Sequence, residues 1–320
     1  MRVILKSIVI FTIIFMPMVT LATEQMNIIP PYNVAVYDAT IQKLYTNQPA
    51  NKRLEYFSAA FLGQRYLNGA LGEGAEGEFD QSPLYRSDAF DCMTYVSTVL
   101  ALVNANTVPE FKEMIKKINY QNGLVLYQNR NHFTSIEWNP NNEKHGLIKD
   151  ITMDIHDQNN QSVAKMISVY INKKAWYDNK TLSSIKLLSP ITPAKQQQLL
   201  QRLRGLSREM SNQDSHLPYV PLTVLFNKQG QANQFIFDQI PSDSIIEIVR
   251  FNWDAKPHLG TKLDVSHLGF AVRTSQGLVY REASQIKNKV IDIPLAEYLQ
   301  GYLNTPTVKG INIQLVVLGS

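Results

Sequence analysis

A single cysteine, Cys92, stands in a chain of 320 residues. One thiol cannot close an intramolecular disulfide, nor can it build a zinc ribbon or an iron–sulfur centre. Charge of one sign is also scarce: 31 Lys and Arg face 27 Asp and Glu, a formal net charge of +4. With no dense Lys/Arg stripe carrying interleaved aromatics, that balance excludes a nucleic-acid binder. No second long apolar run follows the first residues, so the mature chain is expected to have no permanent membrane span. An apolar share of 44% and a charged share of 18% describe a globular chain, not a disordered or fibrous one. No internal repeat is visible, and the length suits one large domain or a domain with insertions.

What is present begins at the first residues. Arg2 and Lys6 precede the apolar stretch IVIFTIIFMPMVTLA, which ends at Ala22. A basic start, a hydrophobic core and small residues at Thr20 and Ala22 have the form of a cleavable export signal. The run is short for a bilayer span and Pro17 interrupts it, which disfavours an uncleaved anchor. The expected organisation is a signal at residues 1–22 and one catalytic domain over 23–320, located in the periplasm or secreted. Cleavage removes Arg2 and Lys6, so the mature chain is only weakly basic. Export sharpens the meaning of Cys92, because secreted chains usually use cysteines in pairs. A lone thiol there is either buried and inert or retained for its reactivity.

The periodicity predicts a helix over 53–66, carried by Leu54, Phe57, Phe61 and Leu62. Residues 69–82 hold four glycines and four acidic residues and read as a loop. In SDAFDCMTYVSTVLALVNA, Met93, Val96, Leu100 and Val103 recur at helical spacing, and Tyr95, Val99 and Leu102 widen the face into that of a well-buried helix. Pro109 can open another helix, with Phe111, Ile115 and Ile118 on one side. Thr192 and Pro193 begin a third that runs to about Met210. Strand signals gather late, at 245–251, at 266–272 with a hairpin into LVYRE, and at 311–318. Helices first and strands later indicate an α+β fold with an antiparallel sheet. Residues 139–186 are polar, give no firm assignment, and suit an N-terminally extended domain carrying an insertion.

Cys92 falls at the predicted start of its helix, just after Asp88 and Asp91. Unpaired amides and the helix dipole stabilise a thiolate at that position, while nearby carboxylates oppose it unless they cap the backbone instead. As a nucleophile it needs a histidine base from elsewhere; otherwise it fills space at a helix end. Of six histidines, His267 is best placed, beside Ser266 on a hydrophobic strand, although a lone strand histidine is more often a satisfied core residue. His132, in RNHFTSIEW, is a second candidate in a loop-like setting. His145, His156, His216 and His258 lie in polar or turn-rich segments.

The segment RSDAFDCMTYVSTVLAL, Arg86 to Leu102, resembles the catalytic-cysteine motif of the N-acetylmuramoyl-L-alanine-amidase-like family, a papain-like branch related to NlpC/P60 cell-wall hydrolases. Arg86, Asp88, Asp91 and Cys92 match its arginine, aspartates and cysteine, and FLGQRYLNGALGE resembles the segment before them. Arg130, His132 and Trp138 are similar to a further stretch, with altered spacing and Glu137 before the tryptophan. LDVSHLGFAV is similar to the segment that carries the base, which maps to His267, with Asp264 and Ser266 also matching. In YREASQ, Glu282 stands where the family more often has histidine; it can orient an imidazole as third member or be an ordinary strand-end charge, with Gln285 as the lesser candidate.

The resemblance implies a papain-like fold with family-specific insertions and a cysteine hydrolase acting on peptidoglycan or muropeptides. The bond is either muramoyl–L-alanine or one within the stem peptide. Arg86 or Arg130 can recognise a substrate carboxylate or form structural ion pairs, while Asp88 and Asp91 more readily fix the loop. The chemistry calls for no metal or other cofactor. A secreted cysteine protease or acyltransferase, or a non-catalytic wall-binding protein, are the competing readings. The catalytic reading requires the Cys92 sulfur and a His267 nitrogen within about 4 Å of each other.

Overall fold

The computed structural model describes residues 26–49, 51–251, 253 and 259–318. The expected export signal and His258 lie outside the described residues. A ten-stranded sheet runs in the spatial order β3 (Ala89–Phe90), β2 (Arg65–Tyr66), β11 (Lys289–Pro294), β10 (Gly277–Ser284), β9 (Val265–Thr274), β8 (Ser244–Arg250), β12 (Val308–Val316), β7 (Gln213–Pro221) and β5 (Lys165–Ile171). β4 (Ile148–Asp150) pairs with the end of β12. The expected antiparallel pairing holds through most of it, but β2 and β3 run parallel, so the sheet is mixed. A separate parallel pair joins β1 (Asn27–Ile28) to β6 (Lys186–Leu187).

Alternation along the central strands makes two cores. Ile245, Phe270, Val272 and Val279 face one side, and Ile246, Ala271 and Tyr280 face the other. The first side is covered by α1 (Val34–Thr46), α2 (Arg53–Ala59), α3 (Cys92–Val103) and α4 (Val108–Asn119). α3 is apolar nearly all round, and Tyr95, Val96, Val99, Leu100 and Leu102 are fully buried. Each such side chain contributes about 1.5–3 kcal/mol by leaving water, which is why this helix is held firmly enough to carry a site. α4 is amphipathic, with Phe111, Ile115 and Ile118 inward and Thr107 capping the Glu110 amide at 3.3 Å.

Between α4 and β7 lie α5 (Asn139–Lys144), α6 (Lys173–Asp178) and α7 (Pro193–Gly205). The second side is closed by α8 (Leu222–Leu225), α9 (Gln234–Phe237) and α10 (Leu295–Gln300), through Leu225, Ile236, Phe237, Leu295 and Leu299.

One expectation changes, and the stretch without a firm assignment gains its elements. The helix predicted over 53–66 ends at Ala59: Gly63 takes φ +84°, its amide bonds Val290 O, and Arg65 and Tyr66 pair as β2. The polar stretch 139–186 is built into the sheet, supplying β4 and the edge strand β5. In β5, Ile167, Val169 and Ile171 are buried while the intervening residues face outward, a half-buried strand in polar surroundings. Among the described residues no helix is long and apolar enough to cross a membrane.

Candidate active site

The site begins with the cap of α3. Asp91 accepts the Thr94 amide at 2.8 Å, and Thr94 Oγ1 accepts the Asp91 amide at 2.9 Å, a reciprocal capping box. The other carboxylate oxygen of Asp91 accepts the Ala70 amide at 3.2 Å and ties the glycine-rich loop to the helix start. Asp91 is thus spent on backbone, and Cys92 follows as the first helical residue, half-buried, where amide groups of the first turn remain free.

His267 arrives on an irregularity. The β8–β9 register passes from Glu247 opposite Leu268 to Val249 opposite Val265, so Ser266 and His267 together face Ile248 alone. Such a bulge re-aims the side chains it carries. Ser266 Oγ donates to Ile248 O at 3.4 Å, holding the bulge. Asp264 steadies the entry to β9: its Oδ1 accepts Ser135 Oγ at 2.8 Å and its carbonyl accepts the Arg250 amide at 2.7 Å. His267 Nε2 then donates to Glu282 Oε2 at 2.5 Å. Gly269 makes this approach possible, because a Cβ there would lie 2.7 Å from Arg281 O and 3.0 Å from Glu282 Cβ.

The second neighbour of the imidazole is Cys92. Burial alone would lower the His267 pKa, but the charge of and hydrogen bond to Cys92, followed by those of Glu282, outweigh it and push it up to about 10. With Nε2 engaged by Glu282, Nδ1 is the ring nitrogen available to the thiol. Tyr66, Tyr280 and Tyr298 wall this group: burial raises each hydroxyl pKa, and the charges of both Cys92 and Glu282 raise it further. Gln285, by contrast, sits exposed in the turn after β10, so Glu282 is the imidazole's partner.

The remaining expected residues are placed around this centre, not in it. Arg86 forms a two-pronged pair with Asp88, Nε to Oδ1 at 2.9 Å and Nη2 to Oδ2 at 2.8 Å. Burial would raise the Asp88 pKa, but the Arg86 hydrogen bonds and charge hold it below the usual value. A cavity of about 510 Å³ is lined in part by Arg65, Gly69, Arg86, Asp88 and Lys186, flanking the site without including Cys92 or His267.

Of the two alternatives for Arg130, its contacts are those of the structural ion pair. Its guanidinium is buried against Glu73, with Nε to Oε1 at 2.8 Å and a second contact from Nη2; it also donates to Leu71 O at 3.0 Å and lies 3.4 Å from Asp80 Oδ2. Those contacts pin the loop that leads to Ala70. His132 packs among Tyr127, Trp176 and Tyr177. Its Nε2 lies 2.9 Å from Tyr127 O, its ring packs 4.5 Å from that of Trp176, and burial followed by the charges of Arg130 and Lys180 lowers its pKa well below the usual value. The tyrosine wall and Gly269 escaped the sequence reading; tyrosines spread over β2, β10 and α10 carry no local spacing signal. Among the described residues no group of three or more His, Cys, Asp and Glu could hold a metal ion.

An α+β chain with a single unpaired thiol and a buried imidazole–carboxylate pair is consistent with a cysteine hydrolase. The N-acetylmuramoyl-L-alanine amidase-like (AmiA-like) family model matches residues 56–305, and the chain belongs to that family. It is similar to a crystal structure from Legionella pneumophila strain Philadelphia 1, at 42% identity and TM-score 0.85, covering 89% of this chain and 97% of that one. A crystal structure of an N-acetylmuramoyl-L-alanine amidase from Bacteroides uniformis shares the fold at 20% identity and TM-score 0.57, covering 83% of this chain and 99% of that one. No protein of curated function matches the chain.

Proposed function

We propose that the protein is an exported cysteine hydrolase of peptidoglycan amide bonds, with Cys92 as nucleophile, His267 as base and acid, and Glu282 as the orienting carboxylate. The observation that carries this reading is the buried hydrogen bond of His267 to Glu282, supported by Cys92 as the foremost influence that raises the imidazole pKa. Family membership supports the substrate class. The basic-apolar start of the chain, Arg2 to Ala22, supports delivery to the periplasm or beyond.

The chemistry follows from the placement. His267 holds the proton of Cys92 as imidazolium, and the sulfur attacks the amide carbonyl. A tetrahedral intermediate forms, its oxyanion met by free amides in the first turn of α3. Imidazolium gives its proton to the leaving amine as the C–N bond breaks, leaving a thioester. Water, deprotonated by His267, then hydrolyses the thioester and regenerates the thiol. Glu282 fixes the ring's orientation and tautomer and stabilises its charged form, the role of the third member of a catalytic triad. Arg86 and Asp88 support the loop before α3, and Asp264 and Ser266 support the strand that bears His267.

The test is digestion of muropeptides by purified protein, with products weighed by mass spectrometry. Free stem peptide indicates cleavage at the muramoyl bond; shortened stems indicate peptidase action. Absence of any new amine would overturn the proposal.

A further inference from the structure

A single π-helical turn, Thr134–Trp138, is bonded to both elements that carry the reacting groups, and hydrolysis as described above gives it no part. The Trp138 amide reaches back five residues to the Phe133 carbonyl at 3.0 Å, the hydrogen bond that widens the turn. Such turns are rare and recur at functional sites.

One joint is to the helix of the thiol. Trp138 Nε1 donates to Ser97 Oγ at 3.3 Å, five residues along α3 from Cys92. The other is to the strand of the imidazole. Ser135 Oγ donates to Asp264 Oδ1 at 2.8 Å, three residues before His267 and at the entry to the bulge that aims it. Trp138 is fully buried, Ser97 donates in turn to Asn119 Oδ1 at 2.8 Å, and Asp264 is only 2% exposed. The turn is itself pinned. Glu137 Oε2 accepts the His132 and Phe133 amides at 2.9 and 3.1 Å, and its Oε1 accepts Lys173 Nζ at 2.7 Å. Phe133 and Ile136 fill the core that includes Val265 of β9, while Trp138 fills the one beneath α3.

The bulge has little else to fix it. Ser266 and His267 together face Ile248 alone, and Ser266 Oγ reaches the Ile248 carbonyl at only 3.4 Å. Asp264 Oδ2 is buried without a partner, so among the described residues Ser135 makes the one hydrogen bond to that carboxylate.

We infer that Ser135 and Trp138 are positioning residues: the turn that carries them gauges α3 against the start of β9 and so sets the separation of the Cys92 sulfur from the His267 ring. The inference rests on the hydrolase reading and deepens it. Both residues act through Ser97 and Asp264, and no proton or bond passes through them.

Two readouts test it. A misplacement on the order of 1 Å at a reacting centre can cost about 10²-fold in rate. Ser135→Ala removes one joint; Trp138→Phe keeps an aromatic ring and removes the other. Each is expected to lower kcat on muropeptides by about 10- to 10²-fold with KM within about threefold, and Ser135→Thr, which keeps the hydroxyl, to restore most of it. The second readout is the NMR titration of His267. Cys92 is the foremost influence that raises this imidazole, so a wider gap is expected to lower its midpoint by about one unit in Ser135→Ala and Trp138→Phe. Glu282, Tyr66, Tyr280 and Tyr298, which surround the pair, are the same in both variants. Melting curves verify folding. A turn that serves stability alone lowers the melting temperature and leaves kcat and the midpoint at wild-type values, a result that overturns the inference. A Ser135→Thr protein as impaired as Ser135→Ala overturns it too. A wild type that releases no amine, with a midpoint that still falls in both variants, overturns the hydrolase reading and leaves the positioning intact.

Discussion

His267 Nε2 and Glu282 Oε2 lie 2.5 Å apart, and Glu282 is only 3% exposed. A carboxylate so placed both orients the ring and favours its charged form. Glu282→Gln keeps the shape and removes the charge. The expected outcome in steady-state kinetics is a fall in kcat of about 10²–10⁴-fold with a smaller change in KM, by analogy with other orienting carboxylates. A change below about threefold in kcat contradicts the assigned role.

The imidazole responds to Cys92 as well. The His267 pKa is pushed up to about 10 against its burial, with Cys92 the foremost raising influence. A histidine raised in the folded state contributes stability that is complete below its unfolded pKa of about 6.5 and is lost as pH rises through the folded value. Cys92→Ala removes the foremost partner, so the ring's titration midpoint falls. NMR titration of the imidazole protons in the two proteins reads this directly, and an unchanged midpoint argues against the pairing.

Glu247 sets a second pH dependence, away from the site. It is fully buried in β8; Oε2 accepts Asn139 Nδ2 at 3.1 Å, while Oε1 and Asn139 Oδ1 both lack partners. One proton on Oε1, donated to Asn139, would satisfy both atoms. Burial first, then the charges of Asp150, Asp264 and Glu143, push this carboxyl up to about 8 against the opposing Asn139 hydrogen bond. The folded state therefore keeps a proton that the unfolded chain loses above about pH 4.3, and stability falls as pH rises through that window to about 8. Urea unfolding at pH 5 and pH 8.5 is expected to show a loss on the order of a few kcal/mol in wild type. In Glu247→Gln, whose amide serves the same pairing without ionising, that loss is expected to be much smaller. Equal losses in the two proteins would contradict the assignment.

Arg130 is predicted to matter through the loop and not through substrate. Its guanidinium neutralises the buried Glu73 and Asp80 side chains, each 3% exposed. Arg130→Met strands Glu73 in the interior, while Asp80 keeps Lys186 Nζ at 3.4 Å, a change worth about 3–5 kcal/mol of stability. Differential scanning calorimetry checks it. A variant that melts like wild type yet has a greatly raised KM would restore the recognition role.

The local settings of the candidate residues were more legible than the frame around them. Cys92 was readable because a capping aspartate and a run of apolar residues at helical spacing mark the start of α3, and His267 because it interrupts a hydrophobic strand. Glu282 was one of two open choices, separated from Gln285 only by where β10 ends. The two-against-one pairing opposite Ile248, which aims His267, depends on a strand distant in sequence and leaves no local mark. The same applies to Arg130, whose partners Glu73 and Asp80 lie 57 and 50 residues upstream. β5 was missed although KMISVYI alternates, because its neighbours are polar and its buried face is completed by Phe133 and Leu217 from elsewhere.

Nucleophilic hydrolysis of a peptidoglycan amide by Cys92 is decided by one paired digestion. Wild type and Cys92→Ala are incubated with the same purified muropeptide, and released amine is followed with mass identification of the products. Wild type is predicted to release peptide while the variant releases none above the uncatalysed background. Equal release by the two proteins, or none by wild type, would contradict it.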